Sequence, residues 1–189
     1  MESLALGPQG DAFVTGFAAT FPRTFVVARL DGSDGSVVWS TELGAGHGRT
    51  IGIGPGGDPI VGGMLEARND AFAVAKVDQA TGAVRWRRLI SKIQPGTALD
   101  LVVDAYGDVL AAGRVARGSR GDDWLVVKLQ SDRGQVRWRR FVDGDRAGDE
   151  AVAIALDPDQ NPAVVGHFTG ADASRDFAVV RFDRRKGRH

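Results

Sequence analysis

The chain has 189 residues, of which 43% are hydrophobic and 25% are charged, and its 24 basic side chains balance its 24 acidic ones. This length suits one globular domain with a real core, or a part of a larger domain. Zero net charge provides no overall field that favours DNA, a membrane surface or an acidic substrate. The lack of cysteine excludes disulfides, thiolate metal sites and cysteine nucleophiles.

No run of about 18 apolar residues is present, so the sequence predicts no transmembrane helix. The first residues, MESLALGPQGD, lack the basic head and the apolar stretch of a signal peptide. We therefore expect any export signal to lie outside this chain. The 26 glycines indicate many tight turns.

Three sets of similar segments recur in the same order along the chain. The first set starts 47, 50 and 53 residues apart and comprises Asp11–Gly16 (DAFVTG), Asp58–Gly63 (DPIVGG), Asp108–Gly113 (DVLAAG) and Asn161–Gly166 (NPAVVG). The second set is apolar and comprises FVVARLD from Phe25, FAVAKVD from Phe72, WLVVKLQ from Trp124 and FAVVRFD from Phe177. The third set is the tryptophans Trp39, Trp86 and Trp138. The sequence therefore contains four repeats.

Each repeat is predicted to form four short strands, A to D in chain order. Strand A is small and apolar, at Leu4–Leu6, Ile51–Ile53, Leu101–Val103 and Ile154–Leu156. The A–B turns are rich in Gly, Pro, Asp and Asn, which tight turns favour. Strand B ends at Gly16, Gly63, Gly113 or Gly166. Strand C is nearly all apolar, as expected for a strand that packs on both faces.

The C–D turn runs from an Asp to a Gly, and strand D then carries the tryptophan. The recurring positions are Asp31, Asp78 and Asp183, then Gly35, Gly82 and Gly134, then Trp39, Trp86 and Trp138. We expect each tryptophan to be largely buried against a neighbouring repeat. Large aromatic side chains supply much apolar area to such contacts.

Four strands in a repeat of roughly 50 residues are typical of propeller blades. We predict one all-β propeller over residues 1–189, built of four-stranded antiparallel blades. The approximate blade units are 1–46, 47–95, 96–146 and 147–189, and the last lacks its outer strand. Unpaired edges and open faces tend to find partners. We therefore expect either part of a longer propeller or a chain that associates with itself.

The segment DQATGAVRW (Asp78–Trp86) resembles the Asp-x-x-Thr-Gly-x-x-x-Trp docking motif of quinoprotein-type, PQQ-like propellers. The other copies depart from it, with Asp34 in place of Thr and Gln130 in place of the leading Asp. GDEAVAIALDPDQNPAVVG (Gly148–Gly166) is similar to the bacterial SBBP propeller repeats, and RDFAVVRFD (Arg175–Asp183) is similar to delta-60 repeats. The resemblance implies six to eight blades in the whole propeller and an extracellular or cell-surface scaffold.

The resemblance also provides an enzyme alternative, a quinone-dependent dehydrogenase with its cofactor on the propeller axis. Such enzymes usually have adjacent cysteines and a calcium site, and this chain has no cysteine. Asp100 and Asp104 are the obvious charged residues for the axis. We assign no catalytic or cofactor-binding residue.

One loop gathers oxygen ligands of the kind that calcium prefers. Its acidic residues are Asp143, Asp145, Asp149 and Glu150. We interpret it as a solvated loop between repeats, with a calcium site as the alternative, and assign no metal.

Strand D also carries arginines that suggest a basic rim for polyanions, namely Arg85, Arg87, Arg88, Arg137, Arg139 and Arg140. We prefer edge protection, because charged side chains on an outer strand discourage aggregation. We predict no nucleic-acid partner.

The predicted function is a non-catalytic scaffold or interaction surface that uses the variable B–C loops. These loops are FAATFPRT, GMLEARND, GRVARGSRGDD and HFTGADASRD. Their ligand, a protein or a carbohydrate, is left open by the sequence.

Overall fold

The structure is a computed structural model that describes residues 1–19, 21–66, 70–90, 94–118, 121–144, 148–170 and 174–189. Its secondary-structure elements are β1 (Ser3–Leu6), β2 (Ala12–Ala18), β3 (Thr24–Leu30), β4 (Val37–Ile53), β5 (Pro59–Leu65), β6 (Ala71–Val77), β7 (Val84–Leu89), β8 (Gly96–Val103), β9 (Val109–Ala116), β10 (Asp122–Leu129), β11 (Val136–Val142), β12 (Glu150–Leu156), β13 (Pro162–Thr169) and β14 (Arg175–Arg181). In these ranges, no helix is long and apolar enough to cross a membrane. The predicted all-β class is confirmed.

Strands that follow one another in sequence also pair with one another, always antiparallel. The hydrogen-bonded sheets are β1 to β7, β8 to β11, and β12 to β14. Strand β4 takes part in two pairings, because its residues up to Ala45 pair with β3 and those from Gly46 pair with β5. We therefore define unit 1 as β1–β3 with residues 37–45, unit 2 as residues 46–53 with β5–β7, unit 3 as β8–β11, and unit 4 as β12–β14.

The continuity of β4 differs from the sequence prediction, which separates strand D of the first repeat from strand A of the second. The linking residues contain no proline, and Gly44 and Gly46 have φ angles of 122° and 146°. Glycine adopts such angles readily. A Cβ on Gly46 would also lie 2.2 Å from the carbonyl oxygen of Met64. Because these glycines allow positive φ and close pairing with β5, the chain passes from unit 1 to unit 2 as one strand without a loop.

The core consists of three apolar clusters, each formed where one unit packs on the next. Between units 1 and 2, the cluster contains Phe13, Phe25, Val27 and Leu43 from unit 1 and Ile51, Val61 and Ala75 from unit 2. Between units 2 and 3, it contains Ile60, Phe72 and Val74 from unit 2 and Leu101, Ala111 and Val127 from unit 3. Between units 3 and 4, it contains Leu110, Trp124 and Val126 from unit 3 and Ile154, Val164 and Phe182 from unit 4. We call the side of a unit that carries the first residue of strand C its front face, and the opposite side its back face. The front faces of units 1, 2 and 3 each pack on the back face of the following unit.

Candidate functional site

Each of the three repeat tryptophans binds the C–D turn of the following unit. Its indole N–H donates to the carbonyl oxygen of the second residue of that turn. The donor–acceptor pairs are Trp39–Gln79 (3.0 Å), Trp86–Ser131 (3.0 Å) and Trp138–Arg184 (3.2 Å). A buried indole N–H usually requires such a partner. The tryptophans therefore connect consecutive units through both packing and a hydrogen bond.

The glycine that ends each of these turns provides the surface on which the indole rests. Gly82, Gly134 and Gly187 have φ angles of 75°, 61° and 63°, and a Cβ there would lie 2.9, 2.6 and 2.7 Å from the indole of Trp39, Trp86 and Trp138, respectively. The first turn differs, because a Cβ on Gly35 (φ 74°) would meet nothing within 4 Å. Gly187 ends FDRRKG (Phe182–Gly187), the fourth copy of this turn in the sequence.

Burial differs among the three tryptophans. Trp86 and Trp138 are only 7% and 6% exposed, whereas Trp39 is half-buried. All three tryptophans pack against the following unit, and Trp39 is the least deeply buried of them. Two residues after it stands Thr41, where the other units have Arg88 and Arg140. The short threonine side chain offers less cover than an arginine stem does.

Several of the strand D arginines, which form the basic-rim alternative, are engaged in contacts between units. Arg88 donates to the carbonyls of Gly134 (3.0 Å) and Arg133 (2.6 Å) in the next unit's turn. Arg140 donates in the same way to Lys186, and Thr41 donates to Gly82 at 2.6 Å. A second docking residue thus lies two positions after each tryptophan. Sequence reasoning missed this role, although the repeated spacing marks it.

Two further arginines of this set pair with carboxylates of their own unit. Arg85 Nε lies 2.8 Å from Asp58 Oδ2, and Arg137 Nε lies 2.7 Å from Asp108 Oδ2. These guanidinium groups already have anionic partners, which supports the interpretation of strand D as structural.

The first residue of each DAFVTG-type segment has a role that the sequence did not reveal. Its side-chain oxygen accepts the backbone N–H of the second C–D turn residue. The pairs are Asp11–Gly32 (3.1 Å), Asp58–Gln79 (3.1 Å), Asp108–Ser131 (3.2 Å) and Asn161–Arg184 (3.1 Å). In units 2 to 4 this is the residue whose carbonyl accepts the preceding tryptophan. The A–B turn therefore holds the docking carbonyl in place.

A buried charge network lies beside this contact in unit 3. Lys128 Nζ is 2.7 Å from Asp104 Oδ2 and 3.5 Å from Asp108 Oδ2. The other oxygen of Asp104 accepts the backbone N–H groups of Tyr106 and Asp108, both at 2.9 Å. Asp104 is 2% exposed and fully occupied. Asp104 therefore holds the A–B turn of unit 3 and neutralises Lys128.

The network opens onto a basic pocket of about 410 Å³, lined by Tyr106, Asp108, Lys128, Arg137, Arg184 and Arg185. Arg184 Nη1 donates to the Tyr106 hydroxyl at 3.3 Å. This hydrogen bond raises the pKa of Arg184 above its ordinary value. Four cationic side chains thus surround one lining carboxylate at the edge between units 3 and 4.

Asp100 occupies the innermost strand of unit 3 and bridges the units on both sides. Its Oδ1 accepts the Thr50 hydroxyl at 3.2 Å, and its Oδ2 accepts the Ile154 backbone N–H at 2.9 Å. Both oxygens are therefore engaged by neighbouring inner strands. Asp100 therefore links three consecutive units through its hydrogen bonds.

The acidic loop is organised by hydrogen bonds. Asp149 is 0% exposed and accepts the backbone N–H groups of Gly144 (2.6 Å) and Thr169 (2.8 Å). Glu150 Oε1 lies 3.4 Å from Arg114 Nε, and Asp143 is exposed. Asp145 lies outside the described residues. Within the described ranges, no group of three or more His, Asp or Glu residues is arranged to hold a metal.

The variable B–C loops are partly described. Residues 20, 67–69, 119–120 and 171–173 lie outside the described ranges. In the first loop Phe21 is 105% exposed, while the Arg23 guanidinium lies 4.5 Å from the centre of the Phe17 ring. His47 packs against the same ring at 5.1 Å, and its burial lowers its pKa below 6.5.

Stacked antiparallel units, three of four strands and one of three, with a tryptophan of each of units 1 to 3 bound to the turn of the next, are typical of a PQQ-like propeller fold. The family described as outer membrane protein assembly factor BamB matches residues 9–189. The chain belongs to this family of PQQ-like propeller repeats. No curated protein matches the chain significantly.

Solved structures show the same fold at low identity. Quinohemoprotein alcohol dehydrogenase from Comamonas testosteroni has a TM-score of 0.71 at 15% identity, over 99% of this chain and 34% of that one. A second quinohemoprotein alcohol dehydrogenase, ADHIIG from Pseudomonas putida HK5, has a TM-score of 0.61 at 16% identity, over 94% and 32%. A Dyadobacter fermentans protein of unknown function has a TM-score of 0.59 at 10% identity, over 95% and 59%.

The chain thus spans about a third of each dehydrogenase and about three fifths of the Dyadobacter protein. The PQQ-like part of the sequence resemblance is confirmed. The SBBP and delta-60 parts stay predictions.

Proposed function

We propose that the chain is a non-catalytic β-propeller module that serves as a scaffold or interaction surface. In this proposal its four blade units are 1–46, 47–95, 96–146 and 147–189. The supporting observation is how three buried or half-buried carboxylates of the described residues are used. Asp100, Asp104 and Asp149 all bind backbone or side-chain groups that fix strands and turns. A catalytic carboxylate, in contrast, has to remain available to a substrate.

The hydrogen bonding of buried polar atoms in the described ranges also supports a non-catalytic module. No buried side-chain nitrogen or oxygen atom there lacks a hydrogen-bond partner. Catalytic sites often keep groups with perturbed pKa values in a cleft. The carboxylates with lowered pKa values, such as Asp78 and Asp157, lie at the surface in turns, where backbone N–H groups stabilise their charge. These groups stabilise turns.

Binding is proposed to occur at the variable B–C loops. Phe21 lies in the first of these loops and is 105% exposed, so its ring makes little contact within its own chain. Exposed aromatic side chains commonly provide the anchors of protein and carbohydrate interfaces. A rigid repeated frame with variable loops is a common arrangement for recognition.

The experiment compares wild type with Phe21→Ala on arrays of defined glycans and peptides. We expect Phe21→Ala to weaken the strongest wild-type signal at least tenfold while leaving the melting temperature unchanged. Val38→Ala, at another exposed apolar site (47%) on strand β4, is the matched control and should retain the signal.

The enzyme alternative is tested in the same preparation with pyrroloquinoline quinone and calcium. The scaffold proposal predicts no change in melting temperature and no dye reduction with alcohols. Saturable quinone binding, or dye reduction that depends on it, would overturn the proposal.

A further inference from the structure

The front face of unit 4 is open, although the same face is closed in the other three units. Phe177, the first residue of strand C, is 78% exposed. Its counterparts Phe25, Phe72 and Trp124 are 1%, 0% and 0% exposed. Two positions further on, Val179 is 56% exposed, whereas Val27, Val74 and Val126 are each 0% exposed. The sequence of unit 4 therefore provides an apolar face of the kind that is buried elsewhere in the chain.

The back face of unit 1 is open in the complementary way. Leu4 is 60% exposed, and its counterparts Ile51, Leu101 and Ile154 are 8%, 5% and 5% exposed. Beside it lies an apolar groove of about 330 Å³, lined mainly by the strands β2 and β3 and by Val37. Val37 itself is 63% exposed. In units 2 to 4, the equivalent face receives the front face of the preceding unit.

We propose that the back face of unit 1 binds the front face of unit 4 of a second copy of this chain. The chain carries both halves of an interface that it already forms three times internally, so the occupant is matched in shape and polarity. The proposal goes beyond the scaffold function, and its failure would leave that function untouched.

This contact is head to tail, because the back face of unit 1 in one copy meets the front face of unit 4 in the other. Such contacts either close into a ring or continue as a filament. A closed pair is the smallest assembly in which each copy covers the open faces of the other. In a closed dimer, Phe177 and Leu4 of both copies are buried in two equivalent interfaces. We expect this closed dimer.

One internal contact is missing from this interface. The Gly35 turn, which corresponds to the docking turns at Gly82 and Gly134, receives no indole, because unit 4 contributes no tryptophan to a fourth strand in its described residues. We therefore expect the contact between copies to be weaker than the contacts within one chain, and to dissociate on dilution.

Light scattering on the 189-residue chain, with two face variants, tests the proposal. Wild type should have twice the 20.0 kDa chain mass at high concentration and approach the single-chain mass on dilution. Phe177→Asp and Leu4→Asp should each be monomeric. Because both positions are exposed, each variant should retain the wild-type circular dichroism spectrum.

Mixing the two variants tests whether these two faces bind each other. Phe177→Asp keeps the unit 1 face and Leu4→Asp keeps the unit 4 face, so an equimolar mixture should form one intact interface and a two-chain complex. Val84→Asp, at an exposed apolar position (43%) on strand β7 of unit 2, is the control and should associate like wild type. A wild-type monomer at every concentration, an oligomer that survives both substitutions, or a mixture that stays monomeric would overturn the proposal.

Discussion

Replacing Gly134 by alanine tests whether the tryptophan of one unit stabilises the next. The φ angle of Gly134 is 61°, and a Cβ there would lie 2.6 Å from Cε3 of the Trp86 indole. Gly35 provides a matched control, because its φ angle is 74° and a Cβ there would meet nothing within 4 Å. Both substitutions place alanine in a left-handed conformation at the same position of the same turn. Only one of them displaces an indole.

The expected magnitudes follow from these contacts. The left-handed conformation costs alanine about 1 kcal/mol at either site. Displacing the indole adds an overpacking cost of about 1–3 kcal/mol. Weakening the hydrogen bond from Trp86 to Ser131 adds about 1 kcal/mol more. Gly134→Ala should therefore lower the free energy of unfolding by about 2–4 kcal/mol more than Gly35→Ala does, as the sum of these two terms.

Denaturant melts of a double-mutant cycle measure this difference. In a Trp86→Ala background, which itself costs about 3–5 kcal/mol, Gly134→Ala should cost no more than Gly35→Ala costs in wild type. The coupling energy between Gly134 and Trp86 is then the indole contribution. Equal effects of Gly134→Ala in both backgrounds would refute the docking role of the turn glycine.

Three further predictions concern the charged residues. Lys128→Met should lower the free energy of unfolding by about 3–5 kcal/mol in denaturant melts, because it leaves a buried carboxylate unpaired. Adding Asp104→Asn should recover part of this loss. A cost of Lys128→Met below about 1 kcal/mol, as for a surface ion pair, would contradict the network. The N–H and hydroxyl of Thr81 hold the pKa of Asp78 below 3.8, so its stabilisation is present above the unfolded-state pKa and lost as the pH falls through the folded-state pKa. The stability difference between wild type and Asp78→Ala should therefore shrink between about pH 7 and pH 2, and a constant difference would exclude this linkage. Millimolar calcium should leave the melting temperature unchanged, because backbone amides occupy both oxygens of Asp149; a rise that disappears in Asp143→Asn would establish the metal site.

The strand pattern was readable from the sequence because each strand has a local signal. The apolar C strands, the Gly- and Asp-rich turns and the repeated tryptophans follow from side-chain polarity and turn chemistry. The continuous β4 was not readable, since it depends on close pairing of Gly46 with β5. The reduced burial of Trp39 was also hidden, because it depends on a side chain of different length at Thr41.

The contacts between turns were harder to predict than the strands. Asp58 and Asp108 were visible as the first residues of repeated segments, but their hydrogen bonds reach turn residues more than 20 positions away. The arginines of strand D gave a misleading signal, because composition cannot distinguish a free guanidinium from one such as Arg88 that binds the next unit.

Hydrogen exchange of the tryptophan indole N–H groups, followed by NMR, tests the docking of unit on unit most directly. The hydrogen bond from Trp86 to Ser131 and the 7% exposure of this side chain predict slow exchange in wild type. Gly134→Ala should accelerate exchange of the Trp86 indole while leaving that of Trp138 slow. Exchange of the Trp86 indole at the rate of a free indole in wild type, or equal acceleration of both indoles in the variant, would contradict the account.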